Sequence, residues 1–233
     1  MYKILFIDEE NDTLQDFEDF VEKSSSKAKI QPITMFPLPD LDEMIESIIK
    51  ISPDAIISDY RLNELKTDIK YTVKYNGVDL VEEFQTIRNY FPCFVLTAVD
   101  DEAVNSSDDV NIVYVKNLLY SKEEGNAKAG FLERVISQIE HYKARIQNSQ
   151  TELAELIEIR KKGDADISIE NRIIELDDFL EKTIDGKSVI PTEFKTLTNS
   201  NKLDSILNKV DQLLKKLEED VLNSIDLEYS IHN

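Results

Sequence analysis

The sequence predicts an α/β protein: a doubly wound parallel sheet of five strands, followed by an all-α helical hairpin or bundle. Three observations carry this. Short apolar runs bounded by acids, Pro or Asn alternate with helical patterns over the first 120 or so residues. The runs are apolar without the period-two alternation of a half-solvated sheet, which suits strands covered on both faces. Beyond about residue 127 strand-like runs stop and a three-four apolar spacing replaces them.

The first strand is "YKILFI" at residues 2–7, and the second, "KIQPITMF" at 29–36, contains Pro32, which suits an edge strand or a strand start. "AIIS" at 55–58, "CFVLTA" at 93–98 and "NIVYV" at 111–115 complete the set. Between them lie three helical stripes: Leu14, Phe17, Phe20 and Val21; Leu41, Met44, Ile45, Ile48 and Ile49; and Val78, Leu80, Val81, Phe84 and Ile87. A long helix then runs unbroken from about Ala127 to Lys161, with Leu132, Val135, Ile139, Tyr142, Ile146, Leu153 and Leu156 spaced over about four heptads. Gly163 and Asp164 break it. A second helix covers Ile169 to Ile184 and is stopped by Gly186 and Pro191; a last one, about Lys202 to Asn223, repeats the spacing. The expected segments are 1–126, a connecting helix 127–162, and a helical region 163–233. That region is read as a self-packed bundle, a dimerising coiled coil or a partner-binding surface.

Composition narrows the function. Forty-seven acidic against 27 basic residues give a formal charge of −20, which repels a phosphate backbone, and no basic helix-turn-helix pattern appears, so direct nucleic-acid binding is disfavoured. The acidity serves solubility or an acidic docking face. No stretch reaches the ~18 apolar residues of a membrane span, and the first residues form a strand-like run rather than a basic, apolar leader, so a cytoplasmic protein is expected, with no membrane partner. The single cysteine, Cys93, rules out an internal disulfide or a cysteine zinc cluster and reads as a small buried hydrophobe. Neither a Gly-rich phosphate loop nor a metal-histidine motif is present, so an enzymatic output lacks support.

The chemistry sits at the strand ends. Strand one ends in "IDEE", strand three in "SDY", strand four in "LTA" and strand five in "VKN". A parallel sheet gathers its carboxyl ends on one rim, so Asp8, Glu9, Asp59, Thr97 and Lys116 should meet there. Three carboxylates so close repel one another unless a cation sits among them; a hard divalent ion with oxygen ligands, Mg²⁺, removes that cost. Asp59 can then act as a nucleophile toward a phosphoryl group, Thr97 can donate to the phosphoryl oxygens, and Lys116 can neutralise the modified carboxylate.

These pieces, "ILFIDEE", "DAIISDYRL", "FPCFVLTA" and "IVYVK", in this order, resemble the receiver domain of two-component response regulators over roughly residues 1–147. The resemblance implies the flavodoxin-like receiver fold and Asp59 as phospho-acceptor. It also implies a metal held by Glu9, Asp59 and the main-chain carbonyl of Arg61, with Asp8 completing the acid pair. A histidine kinase or other phosphodonor is the implied partner.

Departures from the family pattern are specific. After Asp59 the family's Met-Pro turn is missing, and "LNELKTDIKYTVKYNG" delays the expected glycine to Gly77, an insertion of about ten residues. It carries Lys66, Lys70 and Lys74 with Tyr71 and Tyr75, either as a lid over the site or as a tolerated surface excursion. Asn117 stands where the family has Pro, and the family's switch aromatic is replaced by Val113, with Tyr114 one place on and facing the opposite side. Too few residues separate Ala98 from Tyr114 for a full fourth helix, so the family's usual relay through its fourth helix, fifth strand and fifth helix is in doubt.

Four functions follow as expectations. The chain is a module whose phosphorylation on Asp59 controls docking or dimerisation through the C-terminal helices; or a phosphate sink or relay; or a pseudo-receiver that never turns over. The fourth, a histidine phosphotransfer or kinase-dimerisation domain in the C-terminal helices, has only His141 and His232 to draw on, and His141 reads as an ordinary helix-surface residue.

Overall fold

The computed structural model describes residues 1–64, 70–97, 113–115, 127–188, 190, 195 and 209. The elements run β1 (Tyr2–Ile7), α1 (Asn11–Glu22), β2 (Ile30–Met35), α2 (Leu41–Ile51), β3 (Ala55–Asp59), α3 (Gly77–Ile87), β4 (Cys93–Thr97), β5 (Val113–Val115), α4 (Ala127–Lys161) and α5 (Ile167–Asp185), closed by a 3-10 turn at Gly186–Ser188. All strand pairs are parallel, in the order β2-β1-β3-β4-β5. Pro32 lies on β2, at the sheet's edge, as its missing N–H requires. The predicted α/β class with a parallel sheet is the observed one.

The chain divides into two compact units, one of Met1–Glu152 with Phe179–Ser188, the other of Leu153–Asp178 with the residues from Val189 on. In the first, strand parity separates two cores. Leu5, Ile7, Ile56, Cys93 and Val95 point to the face covered by α2 and α3, where Met44, Ile48, Leu80, Val81 and Phe84 pack. Ile4, Phe6, Ala55, Ile57, Phe94 and Leu96 point to the other, covered by α1 through Phe17 and Val21 and by α4 through Phe131, Leu132, Val135 and Ile139. Apolar residues on both sides of every central strand are what the unalternating sequence runs require. Cys93 belongs to the first core, and burial pushes its thiol up, so it remains protonated and inert.

Helix starts follow from local chemistry. Asp40 caps α2 by accepting from the N–H groups of Asp42 and Glu43. Asn76 caps α3 in a reciprocal capping box, its side chain accepting from Val78 and Asp79 while Asp79 accepts from its N–H. In the second unit Leu153 and Ile157 of α4 and Ile173, Ile174 and Leu176 of α5 are buried, Arg160 pairs with Glu170 at 2.9 Å, and Lys195 is buried against Asp177 at 2.8 Å. Gly163 makes the turn between the helices with φ +84°, a conformation suited to glycine.

The described part of the insertion is neither loose nor fully solvated. Leu62, Val73 and Tyr75 enter the α2/α3 core; the Tyr71 hydroxyl donates to the carbonyl of Pro37 at 2.8 Å and that of Tyr75 to Leu38 at 2.7 Å. Burial raises the pKa of both phenols, keeping them protonated donors. Lys70 and Lys74 are exposed. Lys66, Lys116, Asn117, His232, the side chain of Tyr114 and the helix expected at 202–223 lie outside the described residues.

Phe84 is fully buried and meets Phe91 edge-on at 5.1 Å. Phe84→Ala is expected to cost about 3–5 kcal/mol in urea unfolding, whereas Lys23→Ala, which removes an exposed ion pair to Asp19, leaves the midpoint unchanged.

Candidate functional site

Asp8 follows the last residue of β1 and Asp59 is the last residue of β3, and these two strands are hydrogen-bonded neighbours. Their carboxyl ends therefore open on one rim, and Glu9 stands beside Asp8. Asp8, Glu9 and Asp59 are all buried, and each offers a carboxylate oxygen within 4.8 Å of the other two. Thr97 ends β4 one residue beyond Leu96, which is in register with Asp59, and it is buried at the same end of the sheet. Four of the five side chains expected to meet thus lie at this end, three of them close enough to share an ion; the fifth, Lys116, is outside the described residues.

Main-chain hydrogen bonds fix the acids. Asp8 Oδ1 accepts from the N–H of Glu10 at 2.9 Å, and Asp59 Oδ2 accepts from the N–H of Arg61 at 2.8 Å. The N–H of Tyr60 donates to the carbonyl of Leu96 at 2.8 Å, tying the segment after Asp59 to β4. The Arg61 carbonyl accepts from the N–H of Glu64 at 3.2 Å, and a carbonyl keeps a second lone pair. The Arg61 guanidinium pairs with Glu64 at 2.8 Å on the wall of an open cavity of about 380 Å³ that Tyr60, Asn63 and Asn76 also line.

The donor set fits a hard divalent cation. All three ligands are oxygens with negative charge, they lie within 4.8 Å of one another, and burial removes the water that would otherwise screen their repulsion. No neutral or soft ligand stands among them, which disfavours the sulfur- and nitrogen-seeking metals.

Sequence reasoning located Gly77 without its role. A Cβ built there would lie 2.0 Å from the carbonyl oxygen of Asp59 and 2.9 Å from Ser58 Oγ, and the N–H of Gly77 donates to the carbonyl of Tyr60 at 2.8 Å. The Ser58 hydroxyl donates to the same Asp59 carbonyl at 2.9 Å. Helix α3 therefore starts directly against the backbone of the central acid, across an insertion that hides the proximity in sequence. The signal was the "NG" pair with Asp79 three residues after Asn76, a helix start whose first residue has no side chain.

No family model matches the chain, and no curated protein does. Solved structures show likenesses. The anti-anti-sigma factor PhyR from Bartonella quintana overlaps with TM-score 0.41 and 16% identity, over 64% of this chain and 51% of that one; the chain thus spans about half the length of PhyR. RcsB from Salmonella enterica serovar Typhimurium, bound to promoter rprA in the presence of the phosphomimetic BeF3-, overlaps with TM-score 0.41 and 14% identity over 84% and 96% of the two chains. A two-component response regulator RcsB–DNA complex gives TM-score 0.37 and 15% identity, over 78% and 92%. The first unit has a receiver-like fold. That rests on its own strand order, which is the flavodoxin-like one with the site where the order reverses. Among the described residues no helix is long and apolar enough to cross a membrane.

Gly77→Ala forces a methyl group into a main-chain carbonyl; it is expected to destabilise the fold by about 1–3 kcal/mol in denaturant unfolding. Asp8→Asn keeps the acceptor for Glu10 while removing one of three crowded charges. It is expected to raise the melting temperature of the cation-free protein and to abolish most of the further rise that millimolar divalent cation gives the wild type.

Proposed function

We propose that the chain is a response-regulator-type signalling protein in which Asp59 accepts a phosphoryl group in the presence of Mg²⁺. The observation that supports this best is the convergence of Asp8, Glu9 and Asp59, buried and from two different strands, on the rim where Thr97 also ends its strand. The three carboxylate oxygens, all within 4.8 Å of one another, would be the anionic ligands of such an ion. Glu9, Asp59 and the Arg61 carbonyl, with Asp8 beside them, are the residues proposed to hold it. When bound it supplies charge neutralisation for the carboxylates and the incoming phosphate.

The remaining chemistry belongs to the chain. A carboxylate oxygen of Asp59 forms the new bond to phosphorus as the bond from phosphorus to the donor's leaving oxygen or imidazole nitrogen breaks; the leaving group takes up a proton from solvent. The Arg61 N–H holds the carboxylate's orientation, Thr97 donates to a phosphoryl oxygen, and Lys116 pairs with the charge that results. Water reverses the modification by attack at phosphorus, releasing phosphate.

On this reading residues 1–126 carry the site, 127–162 connect, and 163–233 supply the docking or dimerising region, by coiled coil or bundle. The protein is a cytoplasmic regulator, not an enzyme; it takes phosphate from a histidine kinase or other phosphodonor and acts on a protein partner or a second copy. A charge of −20 weighs against nucleic acid as that partner.

Incubation with labelled acetyl phosphate and Mg²⁺ is expected to label the wild type, with no label on Asp59→Asn or in the presence of EDTA. Thr97→Ala is expected to label roughly 10- to 100-fold more slowly. Undiminished label on Asp59→Asn would sink the assignment. Label on the wild type with no change in native mass favours the sink over the docking module.

A further inference from the structure

The chain leaves the sheet-bearing unit at Glu152 and rejoins it at Phe179–Ser188. This returning segment is held by several specific contacts. Asn89 N–H donates to the carbonyl of Lys182 at 2.9 Å and the Tyr142 hydroxyl to that of Thr183 at 3.3 Å. Lys187 pairs with Glu83 at 2.6 Å. At Gly186 the two backbones touch: a Cβ there would lie 2.2 Å from the carbonyl oxygen of Thr86. The Arg145 guanidinium lies against two rings that also meet each other at 6.2 Å, 4.4 Å from the centroid of Tyr90 and 4.5 Å from that of Phe179. Tyr90 holds φ +63° in this arrangement, a region that a bulky residue rarely occupies.

Two of these partners, Glu83 and Thr86, lie on α3; Asn89 and Tyr90 come just after its cap Arg88, and Tyr142 and Arg145 lie on α4. The opposite end of α3 is Gly77, in contact with the backbone of Asp59. The helix spans ~16 Å and is pinned in the core by Phe84. Both its ends are glycine contacts without room for a methyl group, so a displacement at one end has no slack in which to dissipate. Burial pushes the Tyr142 phenol up to about 12, which keeps it a donor throughout the neutral range.

We propose that α3 transmits the state of Asp59 to the docked segment Phe179–Ser188, so that a phosphoryl group on the acid loosens the segment and, reciprocally, release of the segment alters affinity at the acid. This rests on Asp59 being the acceptor. The segment is docked through the contacts above, and the change open to a docked segment is release. Linkage makes it reciprocal, since a segment that binds one state of the site better must bias the site equally.

Hydrogen exchange of the full chain, with Mg²⁺ alone and with Mg²⁺ plus beryllofluoride, tests it through two stretches: 57–64 at the site and 179–188 at the segment. Expected is a response at 57–64 together with exchange at least about fivefold faster over 179–188. A response at 57–64 with unchanged or slower exchange over 179–188 overturns the coupling and leaves the acceptor standing. If neither stretch responds, the acceptor reading falls and the coupling with it. Gly186→Val and Arg145→Ala approach from the other end. Each is expected to speed exchange over 179–188 and to shift half-saturating beryllofluoride at least about fivefold, with Lys23→Ala as an unchanged control. A freed segment with wild-type beryllofluoride affinity also overturns the proposal.

Discussion

Parallel strands deliver their carboxyl ends to a single rim, and here that rim carries three buried acids within reach of one another. Everything around them is arranged by the need to hold like charges together in a place where water cannot screen them. The main-chain N–H groups of Glu10 and Arg61 each face a carboxylate oxygen, and the strands beneath are rigid because both of their faces are covered. A flexible mount would let the acids part. A sheet core denies them that relaxation, and a cation among them would relieve the repulsion.

The same constraint explains the beginning of α3. The segment after Asp59 must turn away over the rim, cross the insertion and return to cover the sheet, and it returns at the one residue type that can sit against a main-chain carbonyl. Between departure and return the chain is fastened to the β2–α2 connection by the hydroxyls of Tyr71 and Tyr75, with Val73 and Tyr75 filling the core. The described extra residues thus extend the α2/α3 layer. A length change that would be disruptive inside an element is tolerated here because its ends are tied by burial and hydrogen bonds.

Much of the first unit was legible because its signals are local. Unalternating apolar runs such as "AIIS" mark doubly covered strands, and an acid closing such a run stands out because burying it needs a reason. Asp8, Glu9, Asp59 and Thr97 followed from strand order alone, since topology rather than sequence distance brings them together. What could not be read was contact between distant main chains. Gly77 against Asp59 and Gly186 against Thr86 depend on the path of intervening chain, and a glycine's lack of a side chain carries no pattern in sequence. Gly186 read simply as a helix stop, which it is, while its closer fit against α3 stayed hidden. The tyrosines of the insertion looked equally suited to a lid or to a solvated excursion, because the carbonyls of Pro37 and Leu38 that receive them are remote in the chain.

The second helical pattern shows why periodicity is silent about partners. Phe179 and Thr183 occupy ordinary positions in an amphipathic helix, yet they face Arg145, Tyr90 and Tyr142 of the sheet-bearing unit, not merely a neighbouring helix. An apolar stripe specifies that a face will be covered; the shape and polar groups of the surface decide by what. Here the deciding groups are directional: a guanidinium against two adjoining rings, a main-chain N–H from Asn89, and a carbonyl of Thr86 that leaves room for glycine alone. Directional contacts of this kind lose their hold over small displacements, whereas greasy contact degrades gradually. A segment held by them is suited to release by a small shift at the C-terminal end of α3, and this steepness, more than the number of contacts, sets it apart from a face held by apolar packing alone.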